Sequence, residues 1–183
     1  MKISALVGLI LIWIFSLSVD SAEVDGIAIS DSEILESQKL LLHGIGLRKA
    51  TIFNIKVYVV AFYYASKLSS EDELLTKPKN FLLKLRFLRD ISQEKIIDSF
   101  QNGFVRNSID LKNFSVSWKQ LQQGLGNFSK GDELVFAFSE GKLTIKSKYP
   151  EVLINQIEFI PQFLKLWFGV PPNEDLKKGL LSR

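Results

Sequence analysis

The alternation of apolar and polar positions is clearest between residues 50 and 65, which the pattern predicts to form one long β-strand. The odd positions from 53 to 63 are all apolar, whereas the even positions include Asn54 and Lys56. Because successive side chains of a strand point to opposite faces, we expect the odd face to meet a core and the even face to meet a partly polar space. The abundance of β-branched and aromatic residues favours a strand over a helix.

Weaker periodicities along the rest of the chain predict the other elements. We expect strands at residues 24–29, 38–48, 81–88, 133–139 and 143–148, with a polar connection at 30–37. We expect helices at residues 71–76, 92–107 and 111–121, one that begins near Pro161 and ends before Gly169, and a last one that carries Leu176 and Leu180. Segment 38–48 is predicted to pair with the long strand. This order is typical of an α+β fold, in which an antiparallel sheet carries its helices on one face.

The segment that leads into the long strand contains two glycines, Gly44 and Gly46, followed by Arg48. We predict a tight turn at this point, because glycine permits backbone conformations and close approaches that a side chain would block. Such a turn would place Arg48 at the sheet edge, near Tyr58 on the even face of the strand. A guanidinium fork and a phenol can together hold a carboxylate or a polarised carbonyl oxygen.

The N-terminal residues are typical of a signal peptide. Lys2 supplies a positive charge, residues 3–17 form an uncharged apolar run, and small residues follow at Ser18 and Ser21. The run is short for a membrane-spanning helix, which needs about 20 apolar residues. We therefore expect a signal peptide at residues 1–21 and a single domain at 22–183, in an exported protein that is periplasmic or secreted and of bacterial type. An uncleaved anchor is the alternative, and no membrane span is expected after cleavage.

Composition excludes several classes of function. The chain has 183 residues, and its 23 basic and 20 acidic side chains give a net charge of +3, too small and dispersed a surplus to predict nucleic-acid binding. There is no cysteine, so neither disulfides nor thiolate metal sites are possible. Because His43 is the only histidine, a site with several histidines within one chain is also excluded. We expect neither a metal nor a cofactor.

Three segments resemble the chalcone isomerase-like family, and in particular its bacterial secreted members. They are GIGLRKATIFNIKVYVVAFYY at 44–64, LRFLRDISQEK at 85–95, and the C-terminal pattern FLKLWFG at 163–169 with LKKGLL at 176–181. The resemblance implies the open-faced β-sandwich of chalcone isomerase, with a ligand cleft between sheet and helices. Arg48 matches the arginine that contacts the substrate in plant chalcone isomerases and the ligand carboxylate in fatty-acid-binding relatives. Tyr58 falls where the isomerases have a catalytic threonine and the fatty-acid binders have a tyrosine.

The remaining isomerase residues are not matched. The catalytic tyrosine of the isomerases corresponds to Ser92 in this sequence, and their asparagine corresponds to Ser99. Chalcone cyclisation requires a polarised carbonyl, a held phenolate and ordered water. Without the tyrosine, the asparagine and the catalytic threonine, the site lacks most of the side chains that meet these requirements in the isomerases. We therefore predict no catalytic residues and no chalcone isomerase activity.

The resulting hypothesis is a non-catalytic binder of a small amphipathic carboxylate such as a fatty acid, held in an apolar cleft. Arg48 would pair with the carboxylate, and Tyr58 would donate a hydrogen bond to it. The apolar lining is predicted to comprise Val60, Phe62, Phe100 and Phe104. Two alternatives stay open: an isomerase or lyase that acts on an enone-like substrate, with Arg48 as electrophile and Tyr58 as acid, and an interaction module whose cleft is filled. Lys84, Arg86 and Arg89 either line the cleft mouth or form a solvated face.

Overall fold

The computed structural model describes residues 21–50, 53–68, 70–172 and 174–182, and the following elements lie within those ranges. The strands are β1 (Ser21–Val24), β2 (Ile27–Ser30), β3 (Ser32–Leu35), β4 (Gln38–Ala50), β5 (Ile55–Tyr64), β6 (Phe81–Phe87), β7 (Glu133–Ser139), β8 (Lys142–Lys146) and β9 (Val152–Ile154). The helices are α1 (Glu71–Thr76), α2 (Gln93–Arg106), α3 (Ser115–Gln123), α4 (Phe159–Phe168) and α5 (Glu174–Leu180), with a 3-10 helix at Leu111–Phe114. The predicted signal peptide at residues 1–21 lies outside the described residues except for its last position.

The main sheet is an antiparallel meander. Its seven strands follow one another in chain order from β3 to β9, and each is hydrogen-bonded to the next. The helices lie against one face of this sheet and close the larger core with it. The predicted α+β fold, with an antiparallel sheet and helices on one face, is confirmed.

Both faces of β5 are buried. Val60, Phe62 and Tyr64 belong to the core under the helices, whereas Val59, Ala61 and Tyr63 belong to a second cluster on the opposite face. The odd face meets a core, as expected, but the even face, for which a partly polar space was expected, packs into the main core under the helices from Val60 to Tyr64. A central strand covered on both sides shows apolar residues at nearly every position, so its period does not tell which face meets the larger core.

The N-terminal segment forms a hairpin where a single strand at 24–29 was predicted. Asp25 and Gly26 have φ angles of 53° and 76°, and they connect β1 to β2. Two-residue hairpin turns of this kind require positive φ at both central positions, which Asp-Gly tolerates. The hairpin lies over the second cluster, to which Ile29 contributes a buried side chain. The predicted polar connection at 30–37 also contains strand β3, and β9 has no counterpart among the predicted strands.

The glycines before Arg48 lie within a continuous strand, so the prediction of a tight turn is wrong. β4 runs without interruption through Gly44 and Gly46, and helix α5 packs directly across them. A Cβ added at Gly46 would lie 2.7 Å from the carbonyl oxygen of Leu176. The expectation of a close approach at these glycines is correct, because the partner that approaches is the backbone of α5.

Most of the predicted helices are confirmed, and helix α2 matters most for the site. Ser92 is its N-cap, and the side chain of Ser92 accepts a hydrogen bond of 3.4 Å from the backbone N–H of Lys95. Ile96, Phe100 and Phe104 lie on its buried side and pack into the core, as the helical spacing of these residues predicts. The other side of α2 carries the polar residues that face the site described below.

Candidate functional site

Arg48 and Tyr58 are directly opposite each other in the β4–β5 ladder. Cross-strand neighbours point to the same face of a sheet, and this face is the one that the helices cover. The phenol of Tyr58 is buried with 6% of the residue exposed, while Arg48 is half-buried. The predicted pairing of a guanidinium with a phenol is therefore present in the structure, and strand register produces it.

A cleft of about 550 Å³ opens beside this pair. It lies between the paired ends of β4 and β5, helix α2, and the loop that connects β6 to α2. Its volume is within the range of about 300–1,000 Å³ that is usual for small-molecule sites. The apolar part of its wall consists of Ala50, Ile55, Val57, Ile91, Ile96 and Phe100.

The apolar lining differs from the predicted one. Phe100 lines the cleft, but Val60, Phe62 and Phe104 are fully buried in the core and do not line it. Val60 and Phe62 share the face of Tyr58, yet they lie about 7 Å and about 13 Å further along the strand. Aromatic packing fills the space around them, since the ring of Phe62 lies 4.8 Å from that of Phe168, centroid to centroid. The cleft therefore stops at Tyr58 and does not continue between sheet and helices.

Nine of the fifteen described residues that line the cleft have polar side chains, whereas only Arg48 and Tyr58 were predicted as polar lining. The basic ones are Arg48, Arg89, Lys95 and Arg106, and the other polar ones are Asp90, Asp98, Ser99 and Asn102. Five of them come from α2, where positions 95, 99, 102 and 106 are spaced by three or four residues and position 98 is three residues after 95 and four before 102, so all five share one side of the helix. The sequence reasoning assigned only the apolar stripe of α2 and missed this polar stripe beside it.

The pKa of the Tyr58 phenol is raised, chiefly because burial disfavours the charged phenolate. The positive charge of Arg48 opposes this shift, as do a hydrogen bond with the indole of Trp167 and the more distant charge of Arg106. The ring of Phe87 packs edge-on against Tyr58 with 6.0 Å between centroids. A phenol in this environment stays protonated near neutral pH and can donate its hydrogen bond.

Burial lowers the pKa of Arg48, the charge interaction with Tyr58 raises it, and the charge of Arg106 lowers it. The guanidinium stays protonated, as arginine does in proteins. Arg48 Nη1 donates a hydrogen bond to the carbonyl oxygen of Lys49, its own neighbour in the chain. Within the described residues Arg48 forms no ion pair, so its remaining donors are available to an anion.

The other basic candidates divide between the two faces of the sheet. Arg89 lines the cleft. Lys84 and Arg86 lie on the opposite face, where Lys84 forms an ion pair of 2.7 Å with Glu33 and Arg86 one of 3.7 Å with Glu133. Ser99, which corresponds to the isomerase asparagine, lines the cleft, whereas Ser92 serves as the helix cap.

The described residues contain no cluster of three or more His, Asp or Glu side chains arranged to hold a metal ion. His43 lies away from the cleft, and its Nε2 accepts a hydrogen bond of 3.3 Å from the backbone N–H of Leu68. Over the same described ranges, every helix is too short or too polar to span a bilayer.

Comparisons with known proteins agree with this description. The chalcone isomerase-like family model matches residues 21–182. The fold is similar to the crystal structure of a fatty-acid binding protein from Arabidopsis thaliana, with a TM-score of 0.72 and 17% identity over 88% of this chain and 96% of that chain. A comparison with curated proteins finds no match. The open sheet of chalcone isomerase type predicted from the sequence is confirmed, and the chain belongs to the chalcone isomerase-like family.

Proposed function

We propose that this protein is a non-catalytic binder of a small amphipathic carboxylate such as a fatty acid, and that the cleft beside Arg48 is its binding site. The observation that carries the proposal is the position of Arg48 and Tyr58, opposite each other at the inner end of an open cleft. The similarity of the fold to a fatty-acid binding protein supports it.

The two polar groups have complementary roles toward a carboxylate. The fork of Arg48 offers parallel N–H donors that fit both carboxylate oxygens. Tyr58 adds an O–H donor, which burial keeps protonated. Hydrogen bonds to charged groups contribute about 1.5–3 kcal/mol each, so this pair would supply most of the discrimination between an acid and a neutral lipid.

The apolar tail would lie along the wall of the cleft. Ile55, Val57 and Ile91 offer apolar surface there, and the closed aromatic core behind Tyr58 prevents deeper insertion. We therefore expect short and medium chains to bind at least as well as long ones, since a long chain would leave part of its tail in water.

The alternatives receive less support from the site. An isomerase or lyase that uses Tyr58 as an acid would benefit from a lowered pKa, but burial raises the pKa of this phenol. An interaction module with a filled cleft would require solid packing beside Arg48, where the cleft is open.

Export is a further part of the proposal. Lys2 and the apolar run at 3–17 support a signal peptide at residues 1–21, followed by a periplasmic or secreted domain. N-terminal sequencing of the protein after expression in a bacterium that recognises such signals tests it. A mature chain that begins at residue 22 would support export, and a chain that retains its first residues and stays in the cytoplasm would contradict it.

Calorimetric titration of the purified protein with octanoate, dodecanoate and palmitate tests the binding proposal. Arg48→Gln is expected to raise the Kd by about tenfold to a hundredfold, as the loss of a hydrogen-bonded ion pair predicts. Arg86→Gln is the matched control, because it makes the same exchange on the opposite face of the sheet. If none of these acids binds, and native mass spectrometry of the purified protein finds no lipid, the proposal is wrong.

A further inference from the structure

The cleft carries more positive charge than a single carboxylate requires. Four basic side chains line it against two acidic ones, among the residues that the structure describes. The acidic ones are Asp90 and Asp98. Asp90 already has a partner in the protein, because its Oδ1 accepts a hydrogen bond of 2.8 Å from the backbone N–H of Lys130. A monocarboxylate would leave a positive charge uncompensated in the bound state.

Two of the basic groups converge on the same phenol. Arg48 comes from β4 and Arg106 from the last turn of α2, and both line a small hollow with Tyr58 and Trp167 at the inner end of the cleft. The charge of Arg106 acts on both Arg48 and Tyr58. The two guanidiniums therefore belong to the same hollow, which is where the headgroup of a ligand would lie.

Neither guanidinium has an ion-pair partner within the ranges that the structure describes. The ion pairs of the described residues involve neither Arg48 nor Arg106. Arg106 Nε donates a hydrogen bond of 3.3 Å to the carbonyl oxygen of Val170, which fixes the base of the guanidinium. Within the part of the chain that the structure describes, its two terminal nitrogens have no hydrogen-bond partner and can donate to an anion.

We propose that Arg106 is a second anion anchor, and that the cleft prefers a doubly charged phosphate monoester to a carboxylate carried on the same apolar tail. This inference rests on the proposed function and specifies the headgroup of its ligand. A phosphate monoester carries close to two negative charges at neutral pH and has three acceptor oxygens, enough for a bidentate contact with one arginine and a further contact with the other. Tyr58 would donate to one of the same oxygens.

The test compares octyl phosphate with nonanoate, whose alkyl tails are equal in length, by calorimetric titration. At about pH 8 the phosphate is doubly charged, and we expect it to bind the parent protein about tenfold more tightly than nonanoate. At about pH 5.5 the phosphate has lost most of its second charge while most of the carboxylate remains ionised, so this preference should shrink. Inorganic phosphate is the third probe, because it separates a lipid headgroup from a free anion.

Arg106→Gln is expected to weaken the binding of octyl phosphate about tenfold more than the binding of nonanoate, and so to abolish the preference and its pH dependence. Arg106→Lys keeps the charge but loses the fork, and should retain part of the preference. Arg86→Gln should leave both ligands unaffected, since Arg86 lies on the other face of the sheet.

The outcomes separate this inference from the function on which it rests. If nonanoate binds and octyl phosphate binds no more tightly, the second anchor is refuted and the carboxylate binder stands. An equal loss of both ligands in Arg106→Gln would also refute it, since Arg106 would then contribute only general attraction. If neither ligand binds, the proposed function itself is refuted. Inorganic phosphate that binds as tightly as octyl phosphate would refute an amphipathic ligand.

Discussion

Gly44 lies against the backbone of Leu180 so closely that a Cβ at this position would be 2.3 Å from the carbonyl oxygen of Leu180. Helix α5 is thereby held across β4, on the face of the sheet that carries Arg48. Side chains seldom permit backbone contact of this kind between a helix and a strand, and glycine permits it because it has no Cβ. The glycines before Arg48 thus support the strand from which the binding arginine extends.

Gly44→Ala is expected to destabilise the protein by about 2–4 kcal/mol, since the new methyl group would force α5 away from the sheet. The measurement is the free energy of unfolding in urea. Leu41→Ala on the same strand is the control, because Leu41 is 59% exposed and its truncation should change stability by no more than about 0.5 kcal/mol. Equal stability of Gly44→Ala and the parent protein would show that α5 does not depend on this contact.

The parts of the structure that the sequence predicted well are those set by local chemistry. The cap at Ser92 and the helix end at Gly169 are examples, because short-range patterns decide both of them. What it missed depends on tertiary packing. Nothing in the period of β5 shows which of its two apolar faces meets the helices, and nothing local shows that Arg106 lines the same hollow as Arg48. The prediction that Val60 and Phe62 line the cleft was wrong for the same reason, because a residue can share the face of Tyr58 without reaching the cleft.

The raised pKa of Tyr58 predicts a loss of stability in alkali. In the folded state the phenol keeps its proton at a pH where the unfolded chain has lost it. The contribution of the neutral phenol to the free energy of unfolding is therefore fully present below the unfolded pKa of about 10. It is lost as the pH rises toward and through the higher pKa of the folded state. Between about pH 8 and about pH 11, the free energy of unfolding of the parent should fall more steeply than that of Tyr58→Phe, by up to about 1.4 kcal/mol per pH unit. Tyr64 also has a raised pKa, but it is present in both proteins and cancels in the comparison. Parallel pH profiles would contradict the assignment.

Phe62 tests whether the core behind the cleft is structural. Phe62→Leu should cost about 1–3 kcal/mol of stability, because it leaves a gap between the rings of Phe81 and Phe168. The Kd of the variant for dodecanoate should stay within about twofold of the parent value, since Phe62 does not line the cleft. Val116→Ala truncates a side chain of α3 that is 68% exposed, and should affect neither quantity. A clear loss of binding with unchanged stability would restore Phe62 to the binding site.

Chalcone cyclisation should proceed at the same rate with and without the protein. Ser92 is occupied as a helix cap, Ser99 offers only a short hydroxyl, and Tyr58 is held in its neutral form. Neither serine replaces the hydrogen-bonding groups of the tyrosine and the asparagine that the isomerases have at these positions. Absorbance of a chalcone followed over time, with Arg48→Gln protein as the control, measures the effect. A cyclisation that is much faster with the parent protein than with Arg48→Gln would make the protein an isomerase.

The hairpin of β1 and β2 covers the face of the sheet opposite to the cleft, so its removal should affect stability and leave binding intact. Ile29 is buried there in the cluster of Val59 and Leu82, whereas its neighbour Ala28 is exposed. Ile29→Asp would place a charge in that cluster, which is costly without a partner, and should detach the hairpin. We expect increased binding of a hydrophobic dye and a lower unfolding midpoint, with an unchanged Kd for dodecanoate. Ala28→Asp is the control and should show neither change. If Ile29→Asp weakens dodecanoate binding while the far-ultraviolet circular dichroism stays native, the two faces of the sheet are coupled and the cleft depends on the hairpin.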